Sequence, residues 1–147
     1  MRTVRLSDVG LLLIRGIVGL VFVFHGSQKL FGAFGGPGLS GFAGMLAKMG
    51  LPQPQFQAVL AASAEFFGGL ALVIGLGTRV AVVPLVVTMM VAIFLVHGQA
   101  FDASKGGMEY PLTLALVLVG LGLTGPGALA LGRLLRGSSG EVEKVVR

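Results

Sequence analysis

Four long apolar stretches divide the chain, and short polar or glycine-rich segments separate them. The stretches run from Val9 to Phe31, from Phe56 to Gly77, from Val80 to Val96 and from Pro111 to Leu131. About 20 helical residues, each rising about 1.5 Å, are needed to cross a hydrocarbon core of about 30 Å. The pattern therefore predicts an all-α fold in which four transmembrane helices form a bundle.

The joint between the first two stretches, residues 32–55, has a periodic pattern of its own. Leu39, Phe42, Leu46 and Met49 recur at three- and four-residue spacing. This stripe predicts a short amphipathic helix that lies on the bilayer surface or dips between the spans. Its simplest interpretation is a surface helix that covers one end of the bundle.

Composition supports a lipid environment. Of the 147 residues, 54% are hydrophobic and 12% are charged, whereas soluble domains carry about 25% charged residues. The net charge of +5 comes from scattered residues, several of them beside the spans, so we expect the lipid bilayer rather than a nucleic acid as partner. The chain contains no cysteine, which excludes thiolate metal sites and iron-sulfur clusters built from this chain alone.

Basic residues in the short loops predict the orientation. One side of the four-span arrangement carries Arg2, Arg5, Arg79, Arg133, Arg136, Lys144 and Arg147; the other carries Lys29, Lys48 and Lys105. We expect a multi-pass protein of the cytoplasmic membrane, with both termini in the cytoplasm and the amphipathic helix in the first extracytoplasmic loop. The membrane domain is predicted over residues 1–136, followed by a mobile cytoplasmic tail over residues 137–147.

Ionisable residues inside the spans are candidate site residues, because each costs free energy in hydrocarbon. Glu65 lies near the middle of the second span, on a face of small residues that predicts contact with another helix. We expect Arg15 or His25 of the first span to meet it, either as an internal ion pair or as a proton relay or ligand anchor. For Lys29 the simplest expectation is that it extends to the membrane surface.

Further polar residues gather at the predicted outer rim. His97 ends the third span, and Glu109 and Tyr110 open the fourth. With His25 and Lys29 at the same depth, they predict a small-molecule pocket between helices. Haem ligation by His25 and His97 is the weaker interpretation, because the chain has neither a histidine pair spaced i, i+4 nor a CxxCH motif, and no metal site is predicted.

The sequence resembles the DoxX family of membrane proteins. The segments that carry the resemblance are Leu13-Ile14-Arg15-Gly16, His25-Gly26-Ser27-Gln28-Lys29-Leu30-Phe31-Gly32, Ala64-Glu65-Phe66-Phe67-Gly68-Gly69, Gly77-Thr78-Arg79, Glu109-Tyr110-Pro111-Leu112 and Gly125-Pro126-Gly127, together with His97 and Phe101. The resemblance implies a four-helix membrane protein linked to quinone-dependent oxidoreductases. It points to these site residues: Arg15, His25, Gln28, Lys29, Glu65, His97, Glu109 and Tyr110.

Two hypotheses follow. In the first, the chain is a redox-associated subunit that binds a quinone or a similar molecule near the outer leaflet. His25 and Glu65 then handle protons, Lys29 or Arg15 stabilises a developing anion, and a partner protein supplies electrons. In the second, the chain is a non-enzymatic scaffold or a small-solute transporter subunit whose buried charges are structural. A homo-oligomer is compatible with both, and whether the chain is an enzyme stays open.

Overall fold

The computed structural model describes residues 4–133, and every regular element in that range is helical. The α-helices are, in chain order, α1 (Leu6–Phe31), α2 (Gly38–Lys48), α3 (Pro54–Ile74), α4 (Thr78–Val91) and α5 (Glu109–Thr124). A π-helical turn over Ala92–Val96 continues α4, and 3-10 turns lie at Ala33–Gly35 and Ala103–Lys105. The prediction of an all-α fold is confirmed.

Three segments are long and apolar enough to cross a membrane: Leu6–Phe31, Pro54–Ile74 and Thr78–Val96. The fourth apolar helix, α5, has 16 residues and spans about 24 Å at the helical rise. It is shorter than a typical spanning helix, but it packs against α4. The architecture is that of a four-helix membrane bundle, as predicted.

The fourth span ends earlier than predicted. It begins at Glu109 and stops at Thr124, so the expectation that it continues to Leu131 is wrong. Gly125 adopts a φ of 80° and precedes Pro126, and a residue before proline is displaced from the helical conformation. The following residues form a loop that turns back onto α1, where Asp8 Oδ1 accepts a hydrogen bond of 2.7 Å from the Ala128 amide.

The predicted amphipathic helix is present as α2. Phe42 and Leu46 are buried, and Leu39 and Met49 pack against the same apolar cluster. The chain enters and leaves this segment through residues with positive φ, including Gly32 at 68° and Gly50 at 76°. Because glycine adopts this conformation without steric cost, the chain can reverse at both ends and place α2 across the ends of α1 and α3.

The helices pack as two close pairs. α1 runs antiparallel to α3, α4 runs antiparallel to α5, and α3 joins the pairs by packing on α4, whereas α1 and α5 barely touch. We call the end of the bundle that carries α2 and the start of α5 the α2 end. The opposite end, where residues 75–77 connect α3 to α4, is the turn end. The predicted tail over residues 137–147, and residues 134–136 of the predicted membrane domain, lie outside the described residues.

Candidate functional site

One face of α1 carries both small residues and charges. Its members follow alternating four- and three-residue steps, the spacing of a helix-packing seam: Arg15, Gly19, Phe22, Gly26 and Lys29. A Cβ atom at Gly19 would come within 2.7 Å of the Gly69 carbonyl oxygen, and one at Gly26 within 2.5 Å of the Phe66 amide nitrogen. The two glycines therefore let the backbones of α1 and α3 approach closely and determine which face of α1 meets α3.

The matching face of α3 has the same spacing. Its members are Ala58, Ala62, Glu65, Gly69 and Leu72, and all of them are buried. Because the two helices run in opposite directions, the end of one seam meets the beginning of the other. Arg15, the first member of the α1 seam, bonds Leu72, the last member of the α3 seam, near the turn end. Lys29, the last member of the α1 seam, lies near the α2 end, and its side chain reaches Glu65, the middle member of the α3 seam.

Lys29 and Glu65 form an ion pair in the wall between α1 and α3. The Lys29 ammonium nitrogen lies 2.6 Å from one carboxylate oxygen of Glu65 and 2.7 Å from the other. The Glu65 side chain is 3% exposed and that of Lys29 is 25% exposed. The ammonium also lies 4.9 Å from the ring centroid of Phe42 in α2, a cation–π distance. The charged pair is thus enclosed by three helices.

The prediction that Arg15 or His25 meets Glu65 is wrong. Neither Arg15 nor His25 meets the carboxylate; Lys29 does. The expectation that Lys29 extends to the membrane surface fails for the same reason. A lysine at the end of a span reaches water only if its side chain points away from the bundle, and the packing at Gly26 turns this face of α1 toward α3.

A cavity of about 660 Å³ opens beside the ion pair, within the size range of small-molecule sites. Its walls come from all the long helices and α2, and most of the lining side chains are apolar. The polar side chains in the lining are those of His25, Lys29, Gln57, Glu65, Thr88, His97 and Tyr110, and Phe22 and Phe42 add two further aromatic rings. The structure therefore brings together five of the site residues expected from the sequence: His25, Lys29, Glu65, His97 and Tyr110.

One wall of the cavity depends on the π-helical turn at the end of α4. The His97 amide donates to the Ala92 carbonyl at 2.9 Å, an i to i−5 bond that ends this turn at the cavity. π-Helical turns often occur at functional sites because they redirect a side chain. His97 Nδ1 lies 2.7 Å from the Gly106 carbonyl oxygen, and this bond fixes the ring against the loop that leads to α5.

Three expected site residues do not line the cavity. Gln28 is half-buried on another face of α1, and Glu109 is exposed, where its Oε2 accepts a hydrogen bond of 3.2 Å from the Ala103 amide. Glu109 therefore anchors the loop before α5, and its place in the first turn also suits the positive end of the helix dipole. Arg15 lies further away, near the turn end.

Arg15 is 1% exposed and connects two segments of backbone. Its guanidinium donates to the Leu72 carbonyl at 3.2 Å and to the Leu129 carbonyl at 2.6 Å. Gly75 makes room for it, because a Cβ there would coincide with the guanidinium. Arg15 is about 21 Å along α1 from Lys29 by helical rise, so it holds the loop after α5 against α3 and does not reach the cavity.

The loop before α5 contains a further carboxylate that is held by hydrogen bonds, that of Asp102. Asp102 Oδ1 accepts from the Ser104 amide at 2.9 Å and from the Ser104 hydroxyl at 2.8 Å. These hydrogen bonds hold the pKa of Asp102 below its usual value. Within residues 4–133, no three histidine or acidic side chains gather closely enough to hold a metal ion.

Sequence reasoning missed the contribution of α2 and of the small residues on α3. Phe42 and Met45 of α2, and Ala61 and Ala64 of α3, line the cavity. The seam spacing on α1 and α3 was a usable signal for which faces of the two helices pack together. Aligning the seams in antiparallel order pairs Glu65 with Phe22 and Lys29 with Ala58, so the contact of Lys29 with Glu65 depends on the length of the lysine side chain. The sequence predicted that this helix covers one end of the bundle, but no comparable signal showed that its side chains would line a cavity.

Comparison with known proteins places these features in a family. The DoxX family model matches residues 10–98. The chain is 34% identical over 124 residues to the Bacillus subtilis protein named "Putative oxidoreductase CatD", covering 84% of this chain and 85% of that protein. It is 30% identical over 132 residues to the inner membrane protein YqjF of Escherichia coli, covering 89% of this chain and 95% of that protein. An uncharacterized membrane protein of Mycobacterium tuberculosis is 37% identical over 133 residues, covering 83% of this chain and 78% of that protein.

No solved structure matches the chain. The family match covers the seam of α1, the ion pair, α2 and the π-helical turn up to His97. The relatives extend the likeness over most of the chain. The chain belongs to the DoxX family of membrane proteins.

Proposed function

We propose that the protein is a redox-associated membrane subunit that binds a quinone, or a similar apolar ring with polar oxygens, in the cavity near the outer leaflet. The observation that carries the proposal is the combination of an apolar cavity of about 660 Å³ with a buried ammonium–carboxylate pair in its wall. An apolar ring gains free energy by burial in such walls. Its oxygens need a hydrogen-bond donor, and Lys29 supplies one.

Lys29 is the proposed anchor for a ligand oxygen. An ammonium group has three N–H donors, and Glu65 accepts two hydrogen bonds from it. The nitrogen lies 4.9 Å from the Phe42 ring centroid and Lys29 lines the cavity, so its remaining N–H can point into the cavity. A carbonyl oxygen of a bound ring can accept it at no cost to the ion pair.

His25 is a better candidate than Glu65 for supplying a proton to a bound ligand. Reduction of a quinone takes up two electrons and two protons, and a partner protein would supply the electrons. Glu65 is engaged as a carboxylate with Lys29, so it has no proton to give in this state. His25 lines the cavity, and within the described residues its ring makes an edge contact with Phe24 but no hydrogen bond. An imidazole can both donate and accept a proton.

A cavity-filling substitution tests the proposal. Ala64→Phe places a ring inside the cavity, whereas Val59→Phe adds a ring to the exposed side of the same helix. We expect the purified wild type and Val59→Phe to bind a decyl-substituted benzoquinone, and Ala64→Phe to bind it at least tenfold more weakly. Circular dichroism checks that both variants fold. Absence of binding to the wild type, or equal binding to the folded Ala64→Phe variant, contradicts the proposal.

The second candidate is a non-enzymatic scaffold. The observation that favours it is that Glu65 finds its partner within the chain, so the pair needs no ligand to be satisfied. Under this hypothesis Lys29→Met destabilises the fold and Ala64→Phe alters no ligand binding. The two candidate functions therefore predict different results for ligand binding to Ala64→Phe but the same loss of stability for Lys29→Met.

The orientation is part of the proposal. Arg5, Arg79 and Arg133 belong to segments at the turn end, and Lys48 and Lys105 to segments at the α2 end, which favours a cytoplasmic turn end. Because the chain has no cysteine, single substitutions can report this directly. We expect an impermeant thiol reagent to label Lys105→Cys, and not Arg79→Cys, in intact cells; the reverse pattern refutes the orientation.

A further inference from the structure

The hydrogen bond of His97 determines which ring nitrogen is available at the cavity. Nδ1 lies 2.7 Å from the Gly106 carbonyl oxygen. A carbonyl only accepts hydrogen bonds, so Nδ1 must carry a proton. In the neutral imidazole Nε2 then has a lone pair and acts as an acceptor. Among the described residues no donor reaches this nitrogen, and His97 lines the cavity.

Two of the polar side chains that line the cavity therefore have opposite hydrogen-bonding character. The ammonium of Lys29 can only donate, whereas the free nitrogen of His97 accepts. Tyr110 does not discriminate, because a phenol hydroxyl both donates and accepts. His25 has no hydrogen bond that fixes its tautomer within the described residues. Glu65, Thr88 and Gln57 also line the cavity, but each is engaged within the chain, with Lys29, the Leu85 carbonyl and the Pro52 carbonyl respectively. The pair of lining groups with opposite character is therefore Lys29, a donor, and His97, an acceptor.

The charges that line the cavity indicate which ligands it can accept. The ammonium of Lys29 is already balanced by Glu65 at 2.6 Å, so this ion pair adds no net charge to the cavity. Transferring an anion from water into an apolar cavity has a large desolvation cost unless an unpaired cation receives it. The cavity therefore suits a neutral ligand.

Building on the proposed function, we propose that this cavity recognises the reduced, hydroxyl-bearing form of its ring ligand, and that His97 is the specificity-determining residue. A hydroquinone presents one hydroxyl oxygen to Lys29 as an acceptor and donates its other hydroxyl proton to His97 Nε2. A quinone has only acceptor oxygens, so its second oxygen faces the lone pair of His97 and no hydrogen bond forms there.

This preference affects the redox behaviour of the bound ligand. If the hydroquinone binds about tenfold more tightly than the quinone, the two-electron reduction potential of the bound couple rises by about 30 mV. The bound quinone is then a better electron acceptor than the free one. The cavity would accordingly favour receiving electrons from a partner over releasing them to one.

The test measures binding of both redox forms to the same protein. Decyl-benzoquinone and its hydroquinone are equilibrated anaerobically with the purified full chain in detergent, with protein-free micelles to correct for partition, and bound ligand is quantified by chromatography. Chromatography is chosen because the chain has no tryptophan and one tyrosine, so its own fluorescence is a weak reporter. We expect the wild type to bind the hydroquinone about tenfold more tightly, which corresponds to ~1.4 kcal/mol.

Two substitutions of His97 separate recognition from loop anchoring. The amide nitrogen of Asn occupies a position like Nδ1, so His97→Asn keeps the bond to Gly106 and loses the acceptor. The longer amide of Gln reaches a position like Nε2, so His97→Gln keeps an acceptor. We expect His97→Asn to bring the ratio of the two affinities to within threefold, and His97→Gln and the loop control Lys105→Ala to keep most of the preference.

The outcomes separate this inference from the proposed function. If the wild type binds neither form, the proposed function fails and this inference fails with it. If it binds both forms equally, or the quinone more tightly, the proposed function stands and this inference is overturned. It is also overturned if the folded His97→Asn variant keeps the tenfold preference.

Discussion

Removing the ammonium of Lys29 tests how the charged seam holds the bundle together. Lys29→Met keeps the length of the side chain and leaves the Glu65 carboxylate, 3% exposed, without the two hydrogen bonds of 2.6 and 2.7 Å that it now accepts. Removing one partner of a buried pair costs about 3–5 kcal/mol. Because Lys29 is itself 25% exposed, we expect the lower end, about 3 kcal/mol.

The free energy of unfolding can be measured by titrating sodium dodecyl sulfate into mixed micelles and following helix content by circular dichroism. A loss of about 3 kcal/mol corresponds to a decrease of roughly 6–12 °C in Tm for a chain of this size. The matched control is Lys48→Met, which removes an exposed lysine of α2. We expect it to change stability by less than about 0.5 kcal/mol.

A double substitution distinguishes lost pairing from lost packing. Lys29→Met combined with Glu65→Leu replaces both charges by apolar groups of similar volume, and such replacements are often close to neutral. We expect the double variant to lie within about 1 kcal/mol of the wild type. The reasoning is refuted if Lys29→Met leaves stability unchanged, or if the double variant is destabilised by the sum of the two single effects.

Three further predictions concern packing, the turn end and the loop before α5. Gly26→Ala pushes a methyl group against the backbone of α3 and should lower the free energy of unfolding by about 1–3 kcal/mol. The control Gly16→Ala, with no atom within 4 Å of the new Cβ, should be neutral or stabilising in the same unfolding titration. Equal effects of the two substitutions would contradict the close approach of α1 and α3 at Gly26. Lysine lacks the planar fork with which Arg15 donates to the carbonyls of Leu72 and Leu129. We therefore expect Arg15→Lys to lower the free energy of unfolding by about 2 kcal/mol and to speed amide exchange in the loop after α5. Unchanged exchange would be the contrary result. The pKa of Asp102 is lowered by its hydrogen bonds, so their contribution to loop stability is present above the usual pKa of Asp and is lost as pH falls through the lower native value. Ser104→Ala should raise this pKa toward its usual value in an NMR titration, and no change would refute the assignment of its cause.

Several features followed from the sequence because they depend on local physics. A helix that crosses lipid must satisfy its own backbone and present apolar side chains, so composition and length were enough to predict four helical spans. The three- and four-residue spacing of Leu39, Phe42, Leu46 and Met49 likewise predicted α2, which the structure places at Gly38–Lys48. The end of the last span was misplaced because the apolar run continues beyond Gly125 and Pro126, where the backbone cannot remain helical.

The site was predicted in part, because residue type and depth are local properties but rotation of a helix about its axis is not. A charge inside a span marked Arg15, His25, Lys29 and Glu65 as residues that need a partner. Which partner each finds depends on the face that α1 turns toward α3. That face is determined by close contacts between the two backbones. At Gly19, for example, an added Cβ atom would lie only 2.7 Å from the Gly69 carbonyl oxygen. Such contacts exist only once both helices are packed.

The chain by itself thus determined the number of spans, their membrane environment, the amphipathic helix and the set of side chains that lipid would penalise. Only the tertiary structure decided that Lys29 pairs with Glu65, that Arg15 holds backbone at the opposite end, and that Glu109 anchors a loop away from the cavity. The physical reason is that hydrophobic burial in lipid follows from each residue alone. Pairing of polar groups depends on distances between helices that are far apart in the sequence.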